Sequence, residues 1–297
     1  MKKIIFLLVL AHLGVLAMAQ QLQTSSFYDL QGVFMNPSMA GVQKHAMIGA
    51  SYRTQWSGIS GAPKTATVFG SFKLPKQAIG LGGYLYSDKT GPTSRNGLAL
   101  SFARHIEMSK GLLSLGVEAR MQQWMIDRNK LSQTLGTDPV LSNGDNQFKF
   151  DAGFGVSFTN DRLQVGASVS QLVQSKLDFY SGNLTRSEQG RLYRHYYAHG
   201  SYKFDVDGST TITPNFLMTY LPNAPVEFQG GARVEHKELF WWGLALRARQ
   251  SWLLSAGLHL DKKLTLGYSF EIYRTPLSIY DKGSNAHELI LRYDMIK

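Results

Sequence analysis

The sequence predicts an all-β protein, a single antiparallel β-barrel of about fourteen strands crossing an outer membrane, and three observations carry that reading. Fourteen segments alternate apolar and polar residues, most are about ten residues long, and the connectors between them are by turns very short and longer. Alternation places two sets of side chains on opposite faces of a strand. Ten or so residues is the length that spans a bilayer when the strand is tilted. The segment 148–158 shows the pattern most clearly: Phe148, Phe150, Ala152, Phe154, Val156 and Phe158 share one parity, and Lys149, Asp151, Gly153, Gly155 and Ser157 the other.

At the amino end, Lys2 and Lys3 precede an apolar run from Ile4 to Val15 and the small-residue pattern Ala17-Met18-Ala19. This is the layout of a secretory signal peptide over 1–19, with cleavage expected before Gln20. The run is too short for a membrane helix and His12 interrupts it. The chain has no cysteine, so no disulfide framework is available to an exported chain. Its formal charge of +10 becomes +8 once Lys2 and Lys3 leave with the signal peptide. The basic residues form no run and no recognition helix is visible, so the charge points away from nucleic acid and to a solvated, lipopolysaccharide-facing or partner-facing surface.

After a periplasmic amino-terminal segment, 20–42, a candidate contact for cell-wall-linked machinery or a partial plug, the barrel is expected over 43–297, with strands at 45–56, 64–74, 78–88, 95–105, 112–125, 147–159, 162–173, 191–204, 209–221, 225–236, 239–249, 251–261, 263–273 and 286–297. Tight periplasmic turns then fall at 75–77, 106–110, 160–161, 205–208, 237–238 and 262, and outer connections at 57–63, 89–94, 126–146, 174–190, 222–224, 250 and 274–285. Short turns inside and longer loops outside are the asymmetry of bacterial outer-membrane barrels. An even strand number returns both ends to the periplasm, and closure leaves no unpaired edge in lipid. Aromatic residues reinforce the reading: Phe72, Phe102, Phe158, Phe204 and Trp242 fall near the periplasmic ends on the outward parity, and Phe148, Tyr196, Tyr220 and Trp252 near the outer rim. The chain closes on Tyr293-Asp294-Met295-Ile296-Lys297 rather than on the terminal aromatic common in such barrels.

The inward parity mixes Arg53, Lys73, Arg120, Lys149, Arg233, Arg247 and Arg292 with Glu118, Asp151, Glu227, Glu235, Glu271, Glu288 and Asp294. Nearly cancelling signs suit paired networks in a filled or narrow lumen better than the one-sign ring of a selective pore. No catalytic or cofactor chemistry is expected. His195 and His199 lie about 13 Å apart along a strand, too far to share one ion. Gly80, Gly82 and Gly83 precede no helix and fit a crowded barrel wall. Gly166-Ala167-Ser168-Val169-Ser170 lacks the closing glycine of a nucleophile elbow.

Three motifs are more specific than the alternation: Asn36-Pro37-Ser38-Met39-Ala40-Gly41, Tyr52-Arg53-Thr54-Gln55-Trp56 and Gly61-Ala62-Pro63-Lys64-Thr65. Together with the signal peptide and the barrel length, they make the chain resemble the PorP/SprF family of the type IX secretion and gliding-motility apparatus. The resemblance implies an outer-membrane protein that works with type IX secretion, while the residues themselves point to no enzyme, cofactor or metal. It would anchor or help export secreted surface adhesins and contact periplasmic or cell-wall-linked components. A pore for small solutes is the alternative that fold alone supports. Asn36 and Pro37 restrict the backbone ahead of the first strand and Gly41 permits a close turn, as a simple turn or as a docking element. Arg53 and Gln55 are expected to face the lumen and Tyr52 and Trp56 the membrane boundary. Pro63, which cannot donate to a ladder, should end the loop before the strand that carries Thr65.

Overall fold

The computed structural model describes residues 24–43, 45–135, 146–177, 190–222, 224–274 and 285–296. Fourteen strands close into one barrel: β1 (Ala46–Thr54), β2 (Lys64–Leu74), β3 (Ile79–Thr90), β4 (Thr93–Met108), β5 (Gly111–Ile126), β6 (Asn146–Thr159), β7 (Leu163–Ser170), β8 (His195–Tyr202), β9 (Thr210–Tyr220), β10 (Glu227–His236), β11 (Phe240–Arg247), β12 (Ser251–Leu260), β13 (Leu264–Tyr273) and β14 (Ala286–Met295). Each pairs antiparallel with its neighbour in sequence, and β14 returns to β1 from Ala46↔Met295 to Thr54↔His287. The ring has no free edge, so the ladder satisfies backbone amides that lipid could not.

The two faces follow the alternation. On β6, Phe148, Phe150 and Phe154 are exposed and Asp151 and Ser157 are buried; on β13, Leu266, Tyr268 and Ile272 are exposed and Thr265, Ser269 and Glu271 are buried. A barrel exposed on its apolar side and buried on its polar side is inverted relative to a soluble domain, as a lipid solvent requires. The aromatic residues lie outside as expected: Phe72, Phe102, Phe204 and Trp242 at the periplasmic end and Phe148, Tyr196, Tyr220 and Trp252 at the outer end are exposed, with Phe158 half-buried.

Several boundaries move for local reasons. The strand expected over 45–56 stops at Thr54, because Trp56 takes a left-handed backbone, φ 52°. The one expected over 162–173 stops at Ser170, where Gln171 (φ 60°) and Gln174 (φ 56°) break the extended chain. The one expected from 191 starts at His195, since Gly190–Arg191 instead pairs with Lys176–Leu177 in a small separate ladder. The connection expected over 89–94 is a tight turn: Thr90 and Thr93 are direct partners across Gly91-Pro92. The signal peptide, the residue at the expected cleavage site and the middle parts of the connections 126–146, 174–190 and 274–285 lie outside the described residues. A short helix, α1 (Arg128–Leu135), opens the first of these connections.

Residues 20–42 are expected on the periplasmic side, as a contact for cell-wall-linked machinery or as a partial plug; the described part, 24–43, sits in the lumen, so the plug is the alternative that the structure realises. Phe27, Val33, Asn36, Ser38 and Ala40 have no accessible surface, and the segment contacts inward residues of β1, β5, β6, β7, β9, β10 and β14. The cause is apolar burial joined to polar pairing. Phe27, Leu30, Val33 and Ala40 form one cluster with Met47, Phe69, Tyr84, Tyr86 and Trp241, and Tyr28 and Met35 pack with Tyr197 and Leu217. Each large apolar side chain so buried contributes about 2 kcal/mol.

Candidate functional site: a plug tied at both ends and a cavity at the outer mouth

The lower end of the plug is built by the motif 36–41. Asn36 caps a single 3-10 turn, Pro37–Met39, with Pro37 in its first turn, where a missing N–H costs nothing. Its side-chain oxygen accepts from Ser38 N at 3.0 Å and from the Ser38 hydroxyl at 2.7 Å. Ser157 Oγ lies 2.8 Å from Ser38 Oγ, and since a hydroxyl has one hydrogen, Ser157 is the donor in that pair. The Asn36 amide nitrogen shares its hydrogens among the carbonyls of Val156 (3.1 Å) and Ala167 (3.3 Å) and His199 Nε2 (3.0 Å). One asparagine thus joins its own turn to β6, β7 and β8. The opposing wall has been cut back to admit it. A Cβ on Gly80, Gly116 or Gly155 would collide with Ala40 O, Ser38 N and Asn36 Oδ1 respectively. Gly41, at φ 67°, turns the chain out under β2, donating its N–H to Ser71 Oγ at 2.7 Å. The motif is therefore a plug anchor rather than a bare turn.

The upper end is held by charge. Glu288 accepts from Ser25 Oγ (2.6 Å), Ser26 N (2.7 Å) and Arg53 Nη1 (3.3 Å), and Arg53 Nη1 also donates to Ser26 Oγ at 2.8 Å. Arg53 pairs in addition with Glu271, which Arg247 reaches at 2.8 Å and Ser251 also contacts. Between the ends, Asp29 pairs with Arg233 at 2.7 Å, and the Arg233 guanidinium lies 4.5 Å from the centre of the Trp241 ring. Arg120 with Glu118 (2.6 Å), Arg95 with Asp88 (3.2 Å) and Arg292 with Asp294 (2.8 Å) are further pairs in the lumen. The mixed inward charges are networks, and the plug is one of their members.

The remaining motif residues divide. Tyr52 faces outward and is exposed, while Gln55 Nε2 donates to Tyr273 Oη at 2.9 Å. Trp56 does not face the membrane boundary: its left-handed backbone leaves the strand's alternation, and its ring sits 6.3 Å from the ring of inward-facing Tyr273. Pro63 ends the loop, its carbonyl accepting from Gln55 N at 3.0 Å, and Thr65 is buried, donating to Asp88 Oδ1 at 2.7 Å. His199 belongs to the Asn36 knot, whereas His195 Nδ1 lies 3.1 Å from Gln171 Oε1.

Above the plug a cavity of about 280 Å³ opens between its first described residues, Thr24 and Ser25, and the outer ends of β8 to β11. Met35, Tyr197, Leu217 and Leu221 make it apolar, and His195, Glu227, Arg247 and Gln250 give it polar edges. The cavity's wall comes from four consecutive strands, and its remaining lining, Thr24, Ser25 and Met35, reaches them only because the plug lies in the lumen.

Comparison with known proteins decides the family. A family described as type IX secretion system membrane protein PorP/SprF matches residues 17–293. The chain belongs to the PorP/SprF family. No curated protein matches it. Among solved structures, it is similar to the Acinetobacter baumannii outer membrane protein Omp33 at 6% identity and a TM-score of 0.50, over 86% of this chain and 100% of that one. It is also similar to a Pseudomonas aeruginosa FadL homologue at 9% identity and a TM-score of 0.50, over 88% of this chain and 93% of the other. At such identities the likeness is one of fold. This PorP/SprF chain is an outer-membrane β-barrel component associated with type IX secretion.

Proposed function

We propose that this PorP/SprF barrel is a closed, non-enzymatic platform that anchors or helps export a secreted surface adhesin at its outer mouth while its periplasmic turns meet cell-wall-linked secretion or motility components. The observation that carries the reading is the plug. A segment tied to the wall at Asn36 and again at Ser25 and Ser26 fills the lumen with neutral and ionic hydrogen bonds, which opposes the alternative of a pore for small solutes. What stays open to the outside is the cavity above it, framed by the outer ends of β8 to β11 and by Leu221 and Ala224. Rigid strands that position variable connections are the usual arrangement for binding.

The test is to fill the cavity. Leu217→Trp should lower several-fold the surface protein that co-purifies from native membranes, with heat-modifiable migration of the barrel unchanged. Equal recovery from the variant and the parent would place the contact elsewhere. In planar bilayers, steady conductance by the intact chain would favour the pore.

A further inference from the structure

We propose that Lys64 and Lys89 form a clamp for a phosphate-bearing lipid headgroup at the outer-leaflet boundary. The two lysines are direct partners across β2 and β3. Both are exposed, and both lie on the lipid side: Lys64 shares the parity of exposed Val68 and Lys89 that of exposed Leu85, while Thr65 and Tyr86 between them are buried. Like charges directly opposite on one face of a sheet repel, so the arrangement is unfavourable without a counter-ion.

The barrel does not supply one. The carboxylate nearest in sequence, Asp88, faces the lumen, where Thr65 Oγ1 donates to one of its oxygens at 2.7 Å and Arg95 Nη2 to the other at 3.2 Å. Among the described residues neither lysine has an ion-pair partner. The periplasmic turns differ, since exposed Lys262 pairs with Glu238 at 2.6 Å and exposed Arg162 with Asp205 at 3.3 Å.

Depth and neighbours identify the ligand. Thr54 is the partner of Lys64 on β1 and Ser94 the partner of Lys89 on β4, and both have the outward parity. Four adjacent strands therefore present a hydroxyl, two ammonium groups and a hydroxyl in one row, with strands about 4.8 Å apart. One outward step below are Tyr52 and Ala66, and one further the apolar pair Val68↔Leu85. The row thus lies where acyl chains give way to headgroups, a depth at which lysine stems lie along apolar surface and their ammonium groups reach the phosphates. The turn joining β3 to β4 is only Gly91-Pro92, so lipid can approach this sector.

The test uses the full chain in phosphatidylcholine nanodiscs doped with lipid A or with the same lipid A stripped of its phosphates, counting retained lipid by native mass spectrometry. The parent should retain the phosphorylated form preferentially. Lys64→Gln or Lys89→Gln should each reduce retention about fivefold and the double variant about 25-fold. Lys262→Gln, at the opposite rim, should leave it unchanged, and all variants should keep the heat-modifiable migration of a folded barrel. Equal retention by the parent and the double variant would overturn the proposal, as would equal retention of the two lipids. Displacement by an excess of inorganic phosphate would reassign the row to a free anion and overturn the lipid source.

Discussion

The two ends of the plug are fastened by different physics. At the lower end, Asn36, Ser38 and Gly41 make short hydrogen bonds to neutral groups across a wall whose glycines leave no spare volume. At the upper end, Ser25 and Ser26 rest on Glu288, a carboxylate already engaged with Arg53. A shape-matched neutral contact has no substitute partner when one atom is removed. The charged clasp is redundant, because Arg53 keeps Glu271 if Glu288 is lost. The lower end therefore fixes where the plug sits, and the upper end sets how firmly its top is held under the mouth.

The strongest way to break this comparison is to remove the plug. Deleting 24–41 should leave a barrel that still migrates as a folded species but conducts in planar bilayers, and a silent deletion variant would mean that the wall's own ion pairs close the lumen. Next in size is Gly155→Val, which sets a branched side chain against Asn36 Oδ1. Overpacking of that kind costs about 3 kcal/mol and should expose the segment to protease added from the periplasmic side. Asn36→Leu leaves the carbonyls of Val156 and Ala167 without their side-chain donor, a loss of about 2 kcal/mol measurable as a lower midpoint of the heat-modifiable transition. Glu288→Gln keeps the shape and an acceptor for Ser25 while removing one charge beside Arg53. It should cost about 1 kcal/mol and loosen only the top, read as faster labelling of a cysteine placed at Thr24 than of one placed at Met39. Equal labelling at the two positions would show that the ends move together.

Strand identity, face and number were legible because a two-residue period is a local property of the chain: Phe154 and Gly153 declare opposite faces from their neighbours alone. The inward set of charges was legible for the same reason, since parity requires no knowledge of the partner. Local backbone chemistry that interrupts the period was not visible, which is why Trp56 was expected to face outward. A partial plug was one of two readings of the amino-terminal segment, but its attachments depended wholly on tertiary structure. Asn36 meets residues 120 to 163 positions away, and Ser25 meets Glu288 across 263. No pattern around residues 24–43 announces such partners, and the sequence by itself supports a turn at Asn36-Pro37 as readily as an anchor. Closing the ring brings β6, β7 and β8 around one asparagine and β1 and β14 around one carboxylate, and only then does a short segment gain enough buried contacts to stay inside. Alternation determined the wall; what fills it was decided by contacts that exist only once the wall has closed.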